Sequence, residues 1–90
     1  MYEIVYTSQM KQSLKLMKKR GKDLSKFEKV LEILSSGKCL PEKYKDHNLS
    51  GNYCKYRECH IEPDWLLIYK IECDILVLTK VKTGSHSDLF

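Results

Sequence analysis

Three histidines, His47, His60 and His86, sit in the segments KDHNL, RECHIEPDW and GSHSDLF, all in the second half of a 90-residue chain. Each lies at a strand end or in a neighbouring loop, where sites are commonly built. Glu58 and His60 are two apart in an alternating stretch, so on a strand they share a face. Asp64 follows just past Pro63. A carboxylate beside an imidazole fixes its tautomer and raises its pKa, which suits general acid–base work near neutral pH. Lys45, Arg57 and Lys82 flank the histidines and can meet phosphate oxygens. Phe90 offers a stacking face for a base. RNA fits such a set, because it carries its own nucleophile, the 2′-hydroxyl. Cleavage then needs a base, an acid for the leaving 5′-oxygen, and positive charge beside the phosphorane. No cofactor is called for.

Each residue also has a plainer reading. Glu58 can pair with Arg57 or a lysine, Asp64 can cap the turn after Pro63, and Phe90 can plug the core. A metal site competes for the histidines, but no HxH or HExxH pair brings ligands together, so none is expected.

The elements that must position these residues are legible in outline. YEIVYT alternates and reads as a strand. SQMKQSLKLMKKR follows with Met10, Leu14 and Met17 on one helical stripe, and Gly21 suits its end. Asp23 caps a second helix, with Ser25 and Glu28 as a competing capping box. Leu24, Phe27, Leu31 and Leu34 form its inner face and Gly37 stops it. The short link makes the helices an antiparallel hairpin. KCLPEKYKDHNLSGN reads as loop with a little extended structure at most. NYCKYRECHIE is a strand, DWLLIYKIE a central strand buried on both faces, CD a turn, and ILVLTKV a last strand with Ile75, Val77, Thr79 and Val81 on one face. The order is β-α-α-β-β-β: an α+β domain, its antiparallel sheet carrying the helix hairpin on one face.

Residues 1–90 make one domain with a modest core. With 42% apolar and 31% charged residues the composition is that of a folded domain. The longest apolar run, WLLIY, is far short of a membrane span, and MYEIVYTSQ is no signal peptide, so the expected compartment is the cytoplasm. Cys39, Cys54, Cys59 and Cys73 form no CxxC pair and are expected as free thiols, with Cys59 pointing into the core. The formal charge is +4, and it is uneven: +5 over residues 1–30, +1 over 31–60, −2 over 61–90. A basic face of this kind meets phosphates or an acidic protein.

YKDHNLSG, YRECHIEPDWLLIYK and KTGSHSDLF, in that order, resemble the YafQ-like branch of the RelE superfamily, and the likeness spans essentially the whole chain. The resemblance implies a RelE-like fold and a cytoplasmic bacterial toxin. Such a toxin cuts mRNA in the ribosomal A site, touching ribosomal RNA, and is neutralised by a cognate antitoxin of the DinJ or RelB kind. Carried over by motif, the catalytic set is His47, Glu58, His60, Asp64, His86 and Phe90, with Lys45, Arg57 and Lys82 on the RNA backbone. Relatives can have aspartate where Glu58 stands. His86 is expected as general acid and His60, oriented by Asp64, as base, though two imidazoles can exchange these roles. His47 would position or neutralise phosphate. Gly84 would bend the tail back over the sheet, and Leu89 or Phe90 would pin it. An acidic antitoxin arm would suit the basic helices. The alternative is a RelE-like module that holds RNA or a protein without cleaving.

Overall fold

A computed structural model describes residues 2–51 and 55–83, and the structural statements below concern these. The first strand, β1 (Glu3–Tyr6), leads straight into α1 (Ser8–Lys19). Thr7 joins them. Its hydroxyl oxygen accepts from the Met10 N–H at 3.0 Å and its hydroxyl donates to the Thr79 carbonyl at 2.6 Å, so one side chain caps the helix and ties it to the last strand. Helix α1 closes in a Schellman motif: Gly21 has φ +77°, its N–H bonds the Lys18 carbonyl, and the Lys22 N–H bonds the Met17 carbonyl.

Asp23 caps α2 (Leu24–Ser35), accepting from the Ser25 N–H at 3.0 Å, so Ser25 is not the cap. Phe27, Val30 and Leu34 are the buried face of α2, with Leu24 and Leu31 packed at its margin. The face is therefore rotated towards Val30 relative to the expected stripe.

The segment read as loop holds a 3₁₀ turn, Glu42–Tyr44, and a short strand, β2 (His47–Asn48). Then come β3 (Arg57–Glu62), β4 (Trp65–Glu72) and β5 (Ile75–Thr83). Cys73 and Asp74 turn between β4 and β5 with φ of 47° and 64°, the left-handed pair that a tight hairpin requires. Trp65 to Tyr69 are buried in unbroken succession, as expected of a central strand covered on both faces.

The sheet order is β1-β5-β4-β3-β2. β3, β4 and β5 form the expected antiparallel meander, but β1 runs parallel to β5, with Val5 opposite Val77. The sheet is mixed rather than wholly antiparallel. A strand's alternation is the same in either direction; its orientation depends on where the helix hairpin leaves the chain. The helices pack on one sheet face, α1 against β5 and α2 against β3, and the α+β reading holds.

The last strand departs from the expected face. Tyr69 stands opposite Leu78 and Ile68 opposite Lys80, leaving Thr79 as an extra residue in β5. This bulge shifts the alternation by one. Leu76, Leu78 and Val81 therefore enter the helix-covered core, not Ile75, Val77 and Thr79. The same shift turns Lys80 and Lys82 to the other face. No helix among the described residues is long and apolar enough to cross a membrane.

Candidate active site

The sheet face away from the helices carries two rows of side chains. Register sets His47, Glu58, Ile68 and Lys80 side by side across β2, β3, β4 and β5. One step along lie His60, Leu66 and Lys82. Neighbouring strands in such rows are about 4.8 Å apart. The His47 and His60 rings lie diagonally, with centroids 6.5 Å apart. Ile68 and Leu66 are buried between the polar groups, giving the rows an apolar floor of low polarisability.

His47 is held from both sides. Its Nδ1–H donates to the Lys45 carbonyl at 2.7 Å, since a carbonyl can only accept. Its Nε2 then faces Glu58 Oε1 at 3.4 Å. Glu58, the longer acid where relatives can have aspartate, is only 5% exposed. His60 turns Nδ1 to the Pro63 carbonyl at 3.4 Å. Lys82 is 6% exposed. Burial pulls its ammonium pKa down to about 8 and Lys80 adds to the lowering, while the Glu58 carboxylate acts in the opposite sense. The array thus joins two imidazoles, one buried carboxylate and one buried, readily deprotonated lysine.

Arg57 was expected on the RNA backbone, and the structure gives it other partners. It lies on the opposite face of β3. Its Nε and Nη2 donate to the two Asp46 carboxylate oxygens, each at 3.2 Å, and its Nη1 donates to Asn48 Oδ1. The Tyr69 hydroxyl donates to Asp46 Oδ1 at 2.6 Å. Asp46 foremost holds the Arg57 pKa above the usual value, and burial, with Asp46 beside it, drives the Tyr69 phenol upward. This network fastens the segment that carries His47. The sequence reading did not single out Asp46 and Tyr69; the only signal was Asp46 adjoining a candidate histidine.

Asp64 also differs from expectation. The group at His60 Nδ1 is the Pro63 carbonyl, and the Asp64 carboxylate, 66% exposed, lies 4.0 Å from the Lys22 ammonium. Lys45 is exposed beside His47, with its backbone in the left-handed region at φ 51°. Cys59 points into the core as expected, and burial pushes its thiol up to about 12. Cys39 and Cys73 are free and exposed. Gly84, His86, Leu89, Phe90 and Cys54 lie outside the described residues.

A helix hairpin on a mixed sheet whose open face bears this acid–base row defines a small RelE-like α+β protein. Sequence comparison narrows the class: residues 2–90 match the family described as "Bacterial toxin of type II toxin-antitoxin system, YafQ", and the chain belongs to that family. It is 40% identical over 89 residues to the mRNA interferase toxin YafQ of Escherichia coli strain K12, covering 98% of this chain and 95% of that protein. It superimposes with a TM-score of 0.88 and 37% identity on a chain of the Escherichia coli DinJ–YafQ complex, covering 100% of this chain and 99% of that one. A copper-bound mutant toxin from Helicobacter pylori matches with a TM-score of 0.94 and 30% identity over 100% of both chains. In this chain no three His, Cys, Asp or Glu side chains converge among the described residues, so none is assigned to a metal.

Proposed function

We propose that this chain is the toxin of a type II toxin–antitoxin pair, an mRNA endoribonuclease acting in the ribosomal A site. The observation that carries the reading is the double row of His47 and Glu58 beside His60 and Lys82 on one sheet face. The identity with an mRNA interferase supports the substrate, and the match to a toxin solved with its antitoxin supports an antitoxin partner. A cytoplasmic site of action follows from the ribosomal target, where ribosomal RNA also meets the basic surface.

In this mechanism His60 Nε2 takes the proton of the RNA 2′-hydroxyl. The 2′-oxygen bonds to phosphorus, the bond from phosphorus to the 5′-oxygen breaks, and an acid returns a proton to that oxygen. The products are a 2′,3′-cyclic phosphate and a 5′-hydroxyl. His86 is the proposed acid. Residue 83 ends β5 opposite Trp65, and three further residues extend by at most roughly 11 Å. That reach spans the two strand spacings from β5 to β3, where His60 stands. His47, steadied by Glu58, positions the phosphate, and Lys82 neutralises the phosphorane. Asp64 is open to substrate in the turn after His60, and Phe90 stacks on a base. Lys45 meets the backbone.

The test is primer extension on mRNA from translating ribosomes treated with the parent, His86→Ala and Glu58→Gln. Cuts at fixed codon positions, lost in folded variants, are expected. A folded parent that leaves mRNA intact would overturn the nuclease and favour a non-catalytic module.

A further inference from the structure

Beside the rows lies a second feature, of which the mechanism uses only His60 and Lys45. A cleft of about 410 Å³ opens between α2, the 3₁₀ turn and the end of β3. Lys26 and Lys29 line it from α2, Lys43 and Lys45 from the turn, and His60 forms part of its wall. Four lysines face one acid there, Glu62, which is itself paired with Lys26 at 3.1 Å. The cleft thus carries a formal excess of three positive charges, most of the chain's +4.

We propose that this cleft is a binding track for single-stranded RNA phosphates, carrying the strand away from the bond placed at His60. The inference rests on the nuclease reading above. His60 belongs to both the catalytic row and the cleft wall, so a strand held at one must continue past the other. The lining cations are all lysines, compact point charges that suit phosphate oxygens approached from several directions. Among the described residues the lining holds no arginine, so the cleft offers point charges rather than bidentate forks. Lys29 and Lys43 are exposed on the rims and reach a strand without displacing the core. Lys45 is different: the proposed mechanism already places its side chain on the RNA backbone beside His47, so the test leaves it in place.

The test uses the full chain and a short 2′-O-methyl RNA oligonucleotide, which cannot be cleaved because its 2′-oxygen is blocked. Binding is measured against salt for the parent and for Lys29→Ala combined with Lys43→Ala. Two lost phosphate contacts on a single strand lower the slope of log affinity against log salt by about 1.4, a roughly tenfold loss near 0.15 M salt. Unchanged melting should accompany that loss. Equal affinity and slope in parent and variant would overturn the track, as would a parent that does not bind. So would an unchanged RNA affinity with lost neutralisation by co-expressed antitoxin, which would make the cleft a protein-docking surface. Because the probe is uncleavable, its outcome is independent of primer extension: a parent that cuts mRNA while the variant binds normally removes the track and leaves the nuclease.

Discussion

Strand β3 builds two polar sites, one on each face, and they are made differently. On the helix side Arg57 meets both carboxylate oxygens of Asp46, which also accepts from Tyr69; every charge has a matched partner. On the open side Glu58 and Lys82 are both nearly buried, His47 stands 3.4 Å from Glu58, and the lysine titrates near 8 rather than at the ordinary 10.5. A matched bidentate pair favours one fixed geometry. A buried ammonium with a lowered pKa keeps its charge at a cost and gains when an anion arrives. The first arrangement holds a loop in place; the second is the one proposed to meet a phosphate.

The largest effect should come from the open face. His60→Ala removes the proposed base and should slow mRNA cleavage about 10²–10⁴-fold in single-turnover assays, with melting close to the parent's. Lys82→Met should cost about 10²–10³-fold by leaving the phosphorane charge unmet. In the parent, cleavage should decline as pH rises through about 8 and Lys82 loses its proton, whereas Lys82→Arg should keep its activity further into alkali. Stability should move oppositely. The folded lysine binds its proton less tightly than the unfolded one, so its penalty is full below about pH 8 and is relieved between about 8 and 10.5. Unfolding free energy in urea should therefore gain a rising contribution across that window, absent in Lys82→Met.

The helix-side face should answer in stability first. Asp46→Ala strips Tyr69 of its acceptor and leaves Arg57 only Asn48, and should cost about 2 kcal/mol, lowering the melting midpoint by roughly 8–16 °C. Its cleavage should fall as well, through a loosened His47. An Asp46→Ala protein as stable as the parent would erase the contrast between the faces. The smallest effect belongs to Thr7→Val, which loses the α1 cap and the bond to the Thr79 carbonyl at the bulge. About 1 kcal/mol is expected by thermal melting, with a modest fall in cleavage if the bulge relaxes and Lys82 shifts.

Much was legible because it is local. Periodicity located both helices and the three strands of the meander, Asp23 and Gly21 marked helix ends, and alternation put Glu58 with His60 and Cys59 opposite them. Motif order carried the family, since His47, His60 and Asp64 stand in quotable segments. The two-residue β2 escaped because it is too short to show alternation, and the pairing of Arg57 with Asp46 escaped because nothing local distinguishes a clamped arginine from an open one.

What the sequence determined by itself is the two helices and four of the five strands, the faces within β3 and β4, and the inventory of histidines, acids and lysines. Tertiary structure alone decided three things: that β1 lies parallel to β5, that His47 stands opposite Glu58, and that Thr79 bulges so that Lys80 and Lys82 face the histidines instead of the core. The physical reason is common to all three. Each depends on strand pairing between residues far apart in the chain, and a one-residue change of register reverses every side chain beyond it.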